Sequence, residues 1–321
     1  MRIVLLGTPD LAAYCLDFLL RSGCNIVGVV TAPDRPAGRG RKLQSPLVKR
    51  LALDRGLTVL QPESLKSAGF LEQLKALRPD LQVVIAFRML PEAVWTLPPL
   101  GTFNMHASYL PDYRGAAPVN WVIINGEKET GVTTFFLDHA IDTGRIIFRK
   151  RIPIAEGDTA GSLMQKIMPE AAAITLNTIE AIASAQINAV PQSEYITPGS
   201  VLKKAPKIYR EDCRIDWSKT CKEVVNLIRG LNPQPGAFCE LTEENDAVLP
   251  VKIYEADPIR VDHGFLPGTL FSDNKQNIMF ATPDGFVNVK QLQLPGKKIM
   301  DTAGLLRGFK FRNASIFNEN G

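Results

Sequence analysis

Arg2-Ile-Val-Leu-Leu-Gly7 opens the chain with an unbroken apolar run that stops at a glycine. Such a run has no polar face to turn to water, so it reads as a strand covered on both sides, as in a parallel sheet. Thr8-Pro9-Asp10 ends it well short of the apolar core of a signal peptide. Leu11, Tyr14, Cys15, Phe18 and Leu19 then recur at helical spacing, and Gly23 supplies the stop. A second strand follows at Asn25 to Thr31. Ser45-Pro46 reads as an N-cap with proline at the first helical position, followed by a strand at Thr58-Val-Leu60, a helix from about Glu63 and a strand at Leu81 to Phe87. Strands alternating with helices predict an α/β, doubly wound parallel sheet whose ligands lie beyond the carboxyl ends of its strands. Gly7 and Asp34 superficially suggest a dinucleotide site. Only one glycine of the G-x-G-x-x-G set is present, however, so Gly7 is read as a tight strand-to-helix turn.

Outward from this frame the texture changes after about residue 185. Val190-Pro-Gln-Ser-Glu-Tyr-Ile-Thr-Pro-Gly199 reads as a connecting segment. Beyond it come an amphipathic helix near Lys219 to Arg229 and short apolar stretches at 251–254, 268–271, 278–282 and 286–292, punctuated by Pro-Gly and Asp-Gly. A small β-barrel or sandwich is expected there. The 321 residues, 45% hydrophobic and 22% charged, suit about two globular domains: 1–189 catalytic, 190–205 linker, 206–321 C-terminal. A formal charge of +4 is too small to identify a polyanionic partner, so only local clustering can. Cys15, Cys24, Cys213, Cys221 and Cys239 are odd in number and lack a C-x-x-C pair, which fits a reducing cytoplasm. The three histidines show no ligand spacing, and no metal is expected. No membrane span is expected either.

The densest polar cluster is Gly101-Thr-Phe-Asn-Met-His-Ala-Ser-Tyr-Leu-Pro-Asp-Tyr-Arg-Gly-Ala-Ala-Pro118. On a strand, Asn104 and His106 project from one face, setting an amide beside a titratable imidazole. Thr133-Thr-Phe-Phe-Leu-Asp-His-Ala-Ile-Asp-Thr-Gly144 adds Asp138 and Asp142 at a strand end and in a turn. Each residue alone is explained by strand-end hydrogen bonding or turn capping. Together, an amide donor, an imidazole and a carboxylate are the parts needed to move a small acyl group to an amine. No G-x-S-x-G elbow is present, so a covalent acyl-enzyme is not suggested.

Asn104-x-His106-x-Ser108, running into Leu110-Pro111 and Tyr113-Arg-Gly-Ala-Ala-Pro118, with Asp138 to Gly144 downstream, resembles the folate-dependent formyltransferases. The resemblance implies a Rossmann-like catalytic domain that uses 10-formyltetrahydrofolate, with Asn104, His106 and Asp142 at the catalytic positions. It also implies a folate pocket lined by Phe87, Arg88, Met89, Leu90, Ser108, Tyr109, Leu110, Pro111, Asp138 and Ile141. Many members have Ser-Leu-Leu-Pro where this chain has Ser108-Tyr109-Leu110-Pro111, and Ala-Tyr-Gly near Ala86-Phe87-Arg88-Met89. Thr8-Pro-Asp10, Pro33 to Leu43, Ala205-Pro-Lys-Ile208, Ile215-Asp-Trp217 and Asn232-Pro-Gln-Pro-Gly236 narrow the likeness to the branch that acts on initiator methionyl-tRNA, and extend it essentially end to end. That branch implies an OB-like C-terminal barrel with RNA affinity.

Arg35, Arg39, Arg41 and Lys42, interleaved with Gly38 and Gly40, read either as a solvated loop or as a basic arm able to reach phosphates and stack on bases. The resemblance favours the arm, with Lys203, Lys204 and Lys207 as a second basic stretch. A monomer is expected. Two rivals stay open: a formyltransferase for a small amine such as an amino sugar nucleotide or glycinamide ribonucleotide, and a non-catalytic RNA-binding protein on a decayed enzyme.

Overall fold

The structure, a computed structural model, describes residues 1–37, 42–242 and 248–311. Two compact units emerge, one of Met1–Gly115, Thr130–Pro153 and Gln165–Lys204, the other of Ala116–Glu129, Ile154–Met164 and Ala205–Gly321.

The first unit carries β1 (Ile3–Gly7), α1 (Asp10–Arg21), β2 (Ile26–Val30), a hairpin of β3 (Arg35–Ala37) and β4 (Lys42–Gln44), α2 (Leu47–Asp54), β5 (Thr58–Leu60), α3 (Ala68–Ala76), β6 (Leu81–Ile85), α4 (Glu92–Trp95) and β7 (Thr102–His106). Further along come β8 (Arg114–Gly115), β9 (Glu129–Phe136) and β10 (Ile146–Pro153); α5 (Pro118–Ile124) belongs to the second unit, and the residues of α6 (Ala160–Ala183) and β11 (Lys204–Ala205) are divided between the two. The seven-stranded sheet runs β10-β9-β7-β6-β1-β2-β5. β5, β2, β1, β6 and β7 are parallel, and β9 is antiparallel to β7. The chain winds one way from β1 through β2 to β5, then returns to lay β6 on the other side of β1. That reversal makes the crevice beyond β1 and β6 the place where such sheets take ligands. Val4, Leu5, Leu6, Val29, Val83 and Ile85 are buried, as the unbroken apolar runs require. At Gly7, a Cβ would lie 2.4 Å from that of Ala12 and 2.7 Å from the Ile85 carbonyl oxygen, so the glycine permits a tight entry into α1.

Two boundaries differ from expectation. α2 begins at Leu47 with Pro46 at the N-cap position and no side-chain cap, while the Ser45 hydroxyl donates to Asp34 at 3.0 Å. α3 begins at Ala68 rather than near Glu63. The intervening segment is held from outside, its Pro62 and Glu63 carbonyls accepting the guanidinium of Arg88.

The second unit holds α7 (Cys221–Gly230), β12 (Ala237–Thr242), β13 (Val248–Arg260), β14 (Leu270–Ser272), β15 (Ile278–Thr282), β16 (Gly285–Gln293), β17 (Met300–Asp301) and α8 (Thr302–Leu306). Its sheet, β12-β13-β16-β15-β14 with β17 on β16, is antiparallel and not closed among the described residues, a half-barrel rather than a full barrel. Cys221, Val224, Val225 and Ile228 of α7 share one core with Val251, Ile253, Phe280, Val287 and Val289 of the sheet, each large apolar side chain contributing roughly 1.5–3 kcal/mol by leaving water. Trp217 stacks on Phe280 at 4.3 Å. α5 packs on α7 in this unit, where the Asn120 amide donates to the Gly230 carbonyl at 2.7 Å. All five cysteines are free, and burial pushes the Cys15 and Cys239 thiols up to about 12.

Candidate active site

Strand pairing fixes the centre of the site. Asn104 of β7 lies opposite Val84 of β6 and Phe135 of β9, and His106 lies opposite Thr133, so both side chains leave the same face near the carboxyl end of the strand. His106 is only 7% exposed. Its Nε2 lies 2.9 Å from the carbonyl oxygen of Tyr113 and its Nδ1 lies 3.8 Å from Asp142 Oδ2. A carbonyl can only accept, so Nε2 carries a hydrogen and Nδ1 is the nitrogen left to take or give a proton. The bond that orients the ring therefore comes from Tyr113, while Asp142 faces it across a gap too long for a hydrogen bond. Asp142 is fixed separately, accepting the Gly115 N–H at 2.9 Å.

Asn104 has no side-chain hydrogen bond among the described residues, and its Oδ1 is buried without a partner. A buried polar atom left unmatched costs about 1–3 kcal/mol, which a fold tolerates where a ligand will use the group. The backbone shows the same bias. Ala86, Tyr113 and Asp142 all have left-handed φ, at 47°, 61° and 54°. Non-glycine residues held there store strain that gathers at functional sites.

The loops after β6 and β9 carry the expected pocket residues. Phe87 and Leu90 pack into the core near Val84 and Val94, Arg88 lies over the Phe87 ring, and Met89 is 71% exposed. Ile141 is 63% exposed. Asp138 is held by its own loop. Its Oδ1 accepts the Ala140 N–H at 3.0 Å and the Thr143 hydroxyl at 2.8 Å, shaping the loop that carries Asp142. That loop needs Gly144, where a Cβ would lie 1.6 Å from the Phe136 carbonyl oxygen. Ser108 and Leu110 are fully buried. The Ser108 carbonyl accepts, and the Leu110 N–H donates to, the Thr133 hydroxyl; Pro111 is buried beside them. Tyr109 lies with its ring 4.3 Å from the Arg149 guanidinium carbon and 4.2 Å from that of Arg151.

Sequence reading missed Gln192, which is buried in a 3₁₀ turn of Gln192–Tyr195 and bonds both to Arg114 and to the loop of Asp142. It also missed the Tyr113 carbonyl, which no side-chain pattern could reveal. Arg35 and Lys42 lie in β3 and β4, whereas Arg39 and Arg41 lie outside the described residues. Lys203, Lys204 and Lys207 are exposed, with Lys207 Nζ 5.3 Å from the Tyr209 ring. Among the described residues no group of three or more His, Cys, Asp or Glu could hold a metal ion, and no helix is long and apolar enough to cross a membrane.

A doubly wound sheet with an amide, an imidazole and a carboxylate at the end of one strand, followed by an antiparallel half-barrel, is the architecture of a formyl-group transferase. Residues 1–179 match the formyl transferase family and residues 207–310 its C-terminal domain, and the chain belongs to that family. It is 50% identical over 314 residues to the methionyl-tRNA formyltransferase of Bacteroides fragilis, covering 98% of this chain and 97% of the relative. It is 46% identical to the enzyme of the same name from Flavobacterium johnsoniae, covering 97% of each. Among solved structures, HypX from Aquifex aeolicus with tetrahydrofolic acid aligns with a TM-score of 0.64 at 20% identity, over 99% of this chain and 49% of that one. The sugar 3N-formyltransferase WlaRD aligns with a TM-score of 0.62 at 21% identity, over 93% and 99%. These two likenesses concern the fold.

Proposed function

We propose that this protein transfers a formyl group from 10-formyltetrahydrofolate to the amino group of methionine on initiator methionyl-tRNA, acting as a cytoplasmic monomer. The observation that carries the reading is the unpartnered Asn104 amide on the same strand face as an imidazole whose free nitrogen looks onto a carboxylate. The near-full-length likeness to enzymes named for methionyl-tRNA supports the choice of acceptor. The site also suits the donor: Met89 and Ile141 offer exposed apolar surface to a flat ring, Phe87 and Leu90 pack into the core beside Met89, and Asn104 offers an unused amide.

The donor brings an activated formyl carbon attached to a nitrogen that leaves once protonated. As the neutral amine adds to that carbon, the Asn104 amide N–H stabilises the charge gathering on the formyl oxygen. His106 Nδ1 takes the proton the amine sheds and returns it to the departing nitrogen, while Nε2 stays tied to Tyr113. Asp142, across 3.8 Å, opposes the positive ring formed between these steps. Arg35, Arg39, Arg41, Lys42, Lys203, Lys204 and Lys207 serve the RNA by charge and stacking.

The test supplies purified protein with 10-formyltetrahydrofolate and, in parallel, charged initiator tRNA, free methionine and an amino sugar nucleotide. Transfer to the tRNA with very little to free methionine is expected, since much of the binding energy comes from RNA. Transfer to the sugar nucleotide with none to tRNA overturns the acceptor assignment, and no transfer to any amine despite folate binding overturns the reaction.

A further inference from the structure

Gln192 spends its whole hydrogen-bonding capacity on the two segments that hold the catalytic pair. Its Oε1 accepts from Arg114 Nε at 3.1 Å and from Arg114 Nη2 at 2.6 Å. Its Nε2 donates to the carbonyl of Asp142 at 2.8 Å and to that of Gly144 at 2.9 Å. An amide has two acceptor lone pairs and two N–H groups, so all four are used. The orientation is unambiguous, because a flipped amide would set its oxygen against two carbonyls and its N–H groups against a guanidinium.

Those four bonds close a circuit. Tyr113 presents its carbonyl to His106 Nε2, Arg114 reaches Gln192, and Gly115 donates its N–H to the Asp142 carboxylate. Three consecutive residues thus touch the imidazole, the amide and the carboxylate, and Gln192 ties the far side of the circuit by holding the backbone of Asp142 itself. Tyr113 and Asp142 both sit at left-handed φ, a conformation that persists only where surrounding bonds enforce it. Gln192 is anchored in turn by Val190, which exchanges two backbone hydrogen bonds of 2.8 Å with Ile146. It is 3% exposed, so water does not replace what it provides.

We propose that Gln192, acting with Arg114, is the positioning residue that sets the separation of His106 and Asp142, a role that rests on the formyl-transfer reading above. It touches no reacting atom; its contribution is to keep the 3.8 Å gap between Nδ1 and the carboxylate from opening or collapsing. Positioning of this kind acts on turnover, since a misplacement near 1 Å costs on the order of 10²-fold.

The experiment compares wild type with Gln192→Met, which keeps the length and loses every polar atom, Gln192→Glu, which keeps an acceptor for Arg114 and loses both donors, and Arg114→Lys. Steady-state kinetics with 10-formyltetrahydrofolate and charged initiator tRNA are read beside the imidazole ¹⁵N signals of His106 in substrate-free protein. The chain has only three histidines, which makes assignment by substitution direct. Both Gln192 variants are expected to lose kcat by on the order of 10²-fold with KM for either substrate unchanged, and to shift the His106 signals. Arg114→Lys should fall between them and wild type, because one ammonium replaces a two-pronged contact. Wild-type kcat with unmoved His106 signals in any folded Gln192 variant overturns the proposal; should Gln192→Met not fold, Gln192→Glu and Arg114→Lys decide it. If wild type forms no formyl product, the underlying reading fails while the ring signals still judge the positioning role.

Discussion

Asp142 and Asp284 begin alike, each accepting a backbone N–H, from Gly115 at 2.9 Å and from Cys221 at 2.7 Å. They end differently. Asp284 also accepts from the Cys221 thiol at 3.6 Å and the Thr282 hydroxyl at 3.3 Å, with the Arg260 guanidinium 4.0 Å away as a longer ion pair. It completes the start of α7, where Thr220 and Glu223 also form a capping box. Burial and, next, the Asp284 carboxylate push the Cys221 thiol up, keeping it a packed, unreactive group. Asp142 instead stands on strained backbone, faces an imidazole beyond hydrogen-bond reach, and shares its neighbourhood with an unpartnered Asn104. One carboxylate finishes a structure; the other leaves valences open for reactants.

The comparison breaks first, and hardest, at His106. His106→Ala should lower kcat by about 10²- to 10⁴-fold, the contribution of a positioned acid-base group. It also removes the imidazole bonded to the Tyr113 carbonyl, so unfolding must be measured alongside. Near-normal turnover in the folded variant removes His106 from the mechanism. Asn104→Ala sharpens the contrast. Turnover should drop by about 10²- to 10³-fold, yet thermal stability should hold or rise, because the variant deletes a buried oxygen that has no partner to lose. A fall in stability comparable to that of a core substitution would show Asn104 to be structural.

At the other pole, Asp284→Ala should cost about 0.5–2 kcal/mol of stability, the range for loss of a helix cap, with kcat unchanged below the unfolding transition. Calorimetry beside kinetics reads both. A loss of kcat without a loss of stability would reverse the assignment of roles.

How much of this was legible follows from range. The pairing of Asn104 with His106 is legible because alternation along a strand puts residues two apart on one face; Asp138 and Asp142 stand as equal candidates in the sequence, and only the family resemblance favours Asp142. Gln192 is not legible, since it acts across fifty residues on Asp142 and sits in a Pro-, Ser- and Thr-rich stretch whose composition indicates a connector. The Tyr113 carbonyl was invisible because every residue has one. Helix α5 was not read from the sequence, and nothing local says that it packs on α7. Strand β12 also escaped notice, being recognisable mainly by its pairing with β13.

The smallest effect expected is at Asp34, a third carboxylate and, like Asp284, one that accepts several hydrogen bonds. It stands at the base of the β3–β4 hairpin and accepts from Lys49 at 2.7 Å, Gln61 at 2.9 Å and Ser45 at 3.0 Å. The Lys49 hydrogen bond first, then those of Gln61 and Ser45, hold its carboxyl below the usual carboxylate range. A depressed value in the folded state means that the stabilisation is fully present above the ordinary carboxylate value, near 4, and disappears as pH falls through the folded value. Between pH 6 and 8 the contribution is therefore flat. Asp34→Asn keeps one acceptor oxygen and loses the charge facing Lys49, so wild type should be the more stable at pH 7, and its advantage should shrink at pH 3. Denaturant unfolding of both proteins at the two pH values reads this difference directly. A gap that stays constant or widens in acid would mean that Asp34 holds the hairpin by shape alone, and the likeness to Asp284 would then be geometric rather than electrostatic.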